Sequence, residues 1–141
     1  MTVYLSRRYR FTAAHRLHAR GLSDAENRAI YGKCNNPFGH GHDYQVEITV
    51  AGEVDPVTGR AVSLDALDAL ALREAVEPFR YSNLNEEVAA FREAVPTTEN
   101  LALEVDRRMR KAWYEAFPPG SARLEKIRIW ETPRNICEIS G

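Results

Sequence analysis

Between Val3 and His15 the odd positions carry Val3, Leu5, Arg7, Tyr9, Phe11, Ala13 and His15, while Tyr4, Ser6, Arg8, Arg10 and Thr12 fill the even ones. A period of two predicts a long strand that delivers His15 to the same face as Phe11 and Ala13. Leu17 to Ile30, with Gly21, Ser23, Asp24 and Asn27, reads as a loop with room for one helical turn at Asp24–Asn27. Alternation resumes at Tyr44–Val50, a second strand closed by Gly52. Asp55-Pro56-Val57-Thr58-Gly59 is a turn and Arg60–Ser63 returns extended, so residues 43–63 predict a hairpin.

From Leu64 the spacing lengthens. Leu64, Leu67, Leu70, Ala71 and Ala75 predict a helix over 64–77, capped by Ser63 and stopped by Pro78. Phe79–Phe91 is irregular. Pro96-Thr97-Thr98-Glu99-Asn100 opens a second helix with a threonine cap and an acidic first turn. Its buried face carries Leu101, Val105, Met109, Ala112, Trp113 and Ala116, and it ends at Pro118-Pro119-Gly120. Two final strands, Leu124–Thr132 and Ile136–Ile139, are joined by Pro133-Arg134-Asn135. Strands at both ends with two helices between them predict an α+β fold, a four-stranded antiparallel sheet with both helices on one face.

Composition narrows the function classes. The 141 residues suit a single domain, spanning 1–141, with no repeat or linker. A net charge of −1 and scattered arginines point to no nucleic acid and no membrane as partner. Met1–Arg8 lacks the apolar run of a signal peptide, no stretch reaches transmembrane length, and two cysteines make no disulfide framework. A cytoplasmic, reduced protein is the expectation.

The chemistry gathers in Tyr31-Gly32-Lys33-Cys34-Asn35-Asn36-Pro37-Phe38-Gly39-His40-Gly41-His42. If His40 and His42 share an extended run, both imidazoles face one way and make two corners of a tetrahedral zinc site. Of the four histidines, His15 can complete a three-imidazole set with an open fourth position, or it is a half-buried strand histidine. His18 is expected at the surface. Cys34 is either a thiolate whose pKa a nearby Zn²⁺ depresses, hence a general base or nucleophile, or a small buried hydrophobe, the role assigned to Cys137. Glu131 continues the apolar alternation Ile127, Ile129, and a carboxylate there needs a partner. That partner is an arginine, or the paired N–H groups of a flat heterocycle such as an aminopyrimidine. Glu99 is a helix-start carboxylate or serves the same end.

Together these runs resemble the 6-pyruvoyltetrahydropterin synthase family, to which the queuosine-pathway 6-carboxytetrahydropterin synthase is closely related. The matching segments are 11–17 (Phe-Thr-Ala-Ala-His-Arg-Leu), 31–44, 55–59, 96–101 and Trp130-Glu131-Thr132, in order across nearly the whole chain. The loop between His15 and Cys34 is similar in length to that of the pyruvoyl synthases. The resemblance implies the tunnelling fold (T-fold), a ββααββ unit that assembles as a homohexamer, a dimer of trimers, with sites between subunits. It implies Zn²⁺ on His15, His40 and His42 as the cofactor, Cys34 as the proton-abstracting base and Glu131 as the pterin anchor. Thr97, Thr98 and Glu99 become further substrate-binding residues. The implied activity is that of a carbon–oxygen lyase acting on a phosphate ester, eliminating triphosphate from 7,8-dihydroneopterin triphosphate in tetrahydrobiopterin biosynthesis.

One run departs from the family. Its Leu-Asp-His-x-x-Leu-Asn is Phe79-Arg80-Tyr81-Ser82-Asn83-Leu84-Asn85 here. Tyr81 therefore replaces a histidine, and a phenol of pKa about 10 relays a proton or donates a hydrogen bond but is a poor base. Arg80 lowers a neighbouring pKa, meets a phosphate, or is a solvated loop arginine. The expected reading is a pterin lyase with an altered proton relay. The alternatives are a retro-aldol cleavage to a 6-hydroxymethyl or 6-carboxy pterin, or a pterin-binding protein with little catalysis.

Overall fold

The computed structural model describes residues Met1–Gly141. Four antiparallel strands lie in the order β1 (Thr2–His15), β2 (His40–Glu53), β3 (Arg123–Thr132), β4 (Asn135–Ser140). One face is covered by α2 (Leu64–Ala71) and α4 (Thr98–Ala116). Phe11, Tyr44, Val46, Ile48, Ile127 and Ile129 meet Leu67, Leu70, Leu101, Val105 and Met109 in one continuous core. The predicted α+β architecture, a four-stranded antiparallel sheet with both long helices on one face, is what forms. No helix is long and apolar enough to cross a membrane.

Two local expectations are corrected. The segment expected as a loop contains α1 (Asp24–Tyr31), two turns long. Its Ser23 hydroxyl accepts from the Glu26 amide while the Glu26 carboxylate accepts from the Ser23 amide, a reciprocal capping box. This helix buries only Asn27, so no apolar stripe announces it. The hairpin over 43–63 does not form, because β2 is paired along one edge with β1 and along the other with β3. The Asp55–Gly59 turn stands, held by the Asp55 side chain accepting from the Val57 and Thr58 amides at 2.7 and 3.1 Å. Beyond it Ala61 passes close to Gly52 without making a ladder.

The helix that begins at Ser63 does end before Pro78, but its last turn, Leu72–Val76, widens into a π-helix. Two short turns, α3 (Leu84–Glu87) and a 3₁₀ turn at Ala89–Arg92, order part of the irregular stretch. The bare ββααββ order is thus supplemented by α1 and α3. A bulge lies in the β2–β3 ladder, where Thr49 pairs with Lys126 and Val50 with Leu124 so that Glu125 on β3 is the extra residue, and a second lies in the β3–β4 ladder. In that second one Trp130 pairs with Ile136 and Thr132 with Asn135, leaving Glu131 as the extra residue.

Candidate metal and pterin site

The β1–β2 register sets His15 opposite His40 and Ala13 opposite His42. Because side chains alternate, all three imidazoles stand on the helix-covered face at the end of the sheet. Their ring centroids are 4.9 Å apart for His15–His40 and His15–His42, and 4.6 Å for His40–His42. Gly39 lets this corner close. It has φ 71°, and a Cβ there would stand 2.9 Å from the His15 carbonyl oxygen.

His15 is fully buried, and its Nδ1–H donates to the Pro96 carbonyl at 2.9 Å, with the Tyr44 hydroxyl 3.1 Å from the same nitrogen. That bond directs the Nε2 lone pair into the site. The Nε2 atoms of His15 and His42 are both buried and have no hydrogen-bond partner. Burial lowers the pKa of His15 to about 4 despite the pull of Glu131 and the Pro96 bond, and burial also lowers that of His42. The approach of the Glu131 carboxylate to His15 (4.0 Å) and His42 (3.8 Å) is therefore no ion pair at neutral pH. The neutral imidazoles of His15 and His42, whose buried Nε2 atoms lack partners and lie close to one another, fit a divalent metal such as Zn²⁺.

Two further donors border the same point. Cys34 is half-buried in a 3₁₀ turn (Gly32–Asn35) whose Cys34 carbonyl accepts from the Leu17 amide at 2.7 Å. The Asn35 amide returns a 2.7 Å bond to the Leu17 carbonyl. The potential ligand atoms of His15, Cys34 and His40 lie within 4.8 Å of one another, as do those of His15, His42 and Glu131. Burial, then the Glu131 charge, pushes the Cys34 thiol pKa up. A cation on the histidines would act in the opposite direction.

Glu131 is buried without an arginine. Its Oε2 accepts from the Thr98 hydroxyl at 2.9 Å, and its Oε1 lies 3.4 Å from the Asn135 amide nitrogen. By contrast Glu47, buried on the opposite face of the sheet, is neutralised by arginines, with Arg8 at 2.9 Å and Arg128 at 3.9 Å. Thr97 caps α4 by accepting from the Asn100 amide at 3.1 Å. Glu99 is exposed in the first turn of α4 and bonds to none of these groups.

Tyr81 is not gathered into the cluster of its own chain. Its backbone sits at φ 56° with its N–H donating to the Thr12 carbonyl (2.7 Å), its side chain is 82 % exposed, and its ring faces the Arg80 guanidinium at 5.6 Å. His18, expected at the surface, is half-buried, its Nδ1 accepting from the Asn35 amide at 3.0 Å. Sequence reasoning missed Pro96, Tyr44 and Asn135 as parts of the site. Each carried a signal of local structure only: a helix start at Pro96, a strand at Tyr44 and a turn at Asn135.

The family profile described as 6-pyruvoyl tetrahydropterin synthase matches residues 4–141. The chain belongs to this family. It is 44 % identical over 138 residues to the 6-pyruvoyl tetrahydrobiopterin synthase of Poecilia reticulata, covering 98 % of this chain and 90 % of that protein. The solved structure of the Caenorhabditis elegans 6-pyruvoyl tetrahydropterin synthase superposes with a TM-score of 0.88 at 37 % identity, over 100 % of this chain and 96 % of that one. A more distant relative is the dihydroneopterin monophosphate aldolase of Pyrococcus furiosus, 30 % identical over 96 residues, 65 % of this chain and 69 % of that protein.

Proposed function

We propose that this family member is a zinc-dependent lyase that eliminates triphosphate from 7,8-dihydroneopterin triphosphate. The observation that carries the reading is the convergence of orphaned, neutral imidazole nitrogens with Cys34 on one side and a buried, arginine-free carboxylate on the other. Zn²⁺ held by His15, His40 and His42 would supply Lewis acidity toward the hydroxyl and carbonyl oxygens of the substrate side chain. Glu131 accepts the paired N–H groups of the pterin edge, with Thr98 beside it and Thr97 and Glu99 at the same helix start. Cys34 takes a proton from a side-chain carbon, and triphosphate departs with the electron pair of its C–O bond.

Tyr81 and Arg80 are too exposed to serve the site of their own chain, which supports completion of the site by a neighbouring copy. The outer edges of β1 and β4 favour the homohexamer. Beyond the 81–83 segment, which bonds to β1 at Thr12 and Ala14, both edges lack a partner strand in the chain. In such an assembly Tyr81 relays a proton and Arg80 meets the phosphate charge.

The test is product identification by mass spectrometry with zinc-loaded protein and dihydroneopterin triphosphate, alongside Cys34→Ala. Triphosphate release with a three-carbon side chain retained, abolished by Cys34→Ala while zinc stays bound, is the expected result. A shortened side chain supports the retro-aldol reading, which the Arg80-Tyr81 replacement keeps in view because proton delivery decides which bond breaks. Pterin binding without turnover supports the binding protein, a role that needs no thiolate beside the histidines.

A further inference from the structure

We infer that Asn135 is a positioning residue that fixes the plane of the Glu131 carboxylate for recognition of a pterin edge. The inference rests on the proposed pterin site and assigns a role to a residue that the proposed reaction does not use. A glutamate carboxylate rotates in a broad, nearly two-fold well, so a free one is poorly aligned for two parallel N–H donors. Glu131 is held on both oxygens.

The Thr98 hydroxyl spends its one proton on Oε2 at 2.9 Å. The hydroxyl oxygen in turn accepts from the Asn135 Nδ2 at 3.0 Å, and the same amide nitrogen lies 3.4 Å from Oε1. One –NH₂ group thereby orients the threonine hydroxyl and brings its second hydrogen to the other carboxylate oxygen. Each oxygen keeps a lone pair for a ligand. The backbone makes this ring of contacts possible. With Trp130 opposite Ile136 and Thr132 opposite Asn135, Glu131 is the bulged residue, buried, and faces the Asn135–Ile136 step across the ladder.

The competing explanation is that Asn135 only shapes the β3–β4 turn, where its backbone N–H donates to the Thr132 hydroxyl at 3.1 Å. Asparagine and aspartate serve such turns almost equally well. The two roles therefore predict opposite orders for two variants. Asn135→Asp keeps size and turn chemistry but removes both donors and sets a second carboxylate against Glu131. Asn135→Ala removes the donors alone.

The experiment titrates zinc-loaded protein with 7,8-dihydroneopterin, followed by pterin fluorescence, with melting temperature and zinc content measured in parallel. Positioning predicts that Asn135→Ala weakens binding about tenfold and Asn135→Asp about a hundredfold, with zinc content retained. In turnover the same order falls on KM more than on kcat. Wild-type affinity in Asn135→Asp, or a loss in Asn135→Ala that Asn135→Asp restores, overturns the inference in favour of a turn role. Failure of the wild-type protein to bind any pterin overturns the proposed function and this inference with it. Loss of binding in Glu131→Gln combined with wild-type behaviour of both Asn135 variants overturns the inference alone.

Discussion

Replacing Gly39 with alanine should destabilise the protein by about 3 kcal/mol, and the cost divides into two physical parts. Gly39 sits at φ 71°, where an L-residue costs roughly 1–2 kcal/mol. The added Cβ would also stand 2.9 Å from the His15 carbonyl oxygen and 3.4 Å from its carbon. That backbone cannot yield freely, because His15 is buried and paired with His40. Forced overpacking of this kind costs roughly 1–3 kcal/mol. The reduced entropy of the unfolded alanine chain returns about 0.4–1 kcal/mol. Gly59 supplies the control, since its φ is also 71° but nothing lies within 4 Å of its would-be Cβ. Gly59→Ala should therefore cost about 1 kcal/mol or less. Thermal melts of the two variants at one protein concentration give the readout. At about 4 °C per kcal/mol for a chain of this size, Gly39→Ala should fall by about 12 °C and Gly59→Ala by under about 4 °C. Zinc content should drop only in Gly39→Ala, because relief of the clash moves His40. Equal shifts in the two variants would refute the assignment of the extra cost to the His15 contact.

Two further outcomes follow from the site. His15 is buried with its pKa lowered to about 4, so folding favours its neutral form. Its contribution is complete above the unfolded value of about 6.5 and is lost as pH falls toward 4; in metal-free protein this amounts to about 3 kcal/mol. Urea unfolding at pH 7 and pH 5 should show about 2 kcal/mol of that loss, and His15→Gln should flatten the pH dependence; an unchanged slope in His15→Gln would assign it to other groups. Arg80→Asp combined with Tyr81→His should raise triphosphate release at least tenfold if the natural relay is the weaker one. No change in rate would mean that Tyr81 and Arg80 do not lie on the proton path.

The strands, the two long helices and the H-x-H pair were legible because each depends on side-chain period or on a cap within a few residues. Val3–His15 alternates cleanly, and the Thr97 cap and the Pro118 stop bracket α4 closely. The capping box at Ser23 and Glu26 was equally local, yet α1 has no apolar stripe to draw attention to it. The hairpin over 43–63 misled for a different reason. Turn chemistry at Asp55–Gly59 reports a local reversal, but the edges of β2 were claimed by strands from both ends of the chain.

The sequence by itself determined that His15 shares a face with Phe11 and Ala13 and His40 a face with His42, because a period of two fixes the side of a strand without reference to any neighbour. It also determined that Glu131 points toward the core, since the alternation Ile127, Ile129, Glu131 requires it. Only the tertiary structure decided that His15 stands opposite His40, that the Pro96 carbonyl orients the His15 ring, and that Asn135 and Thr98 hold Glu131. Those are matters of register, bulge position and loop closure between residues far apart in the chain. They are set by which ladder satisfies the most backbone hydrogen bonds while burying the apolar face, a choice that no short window of sequence contains.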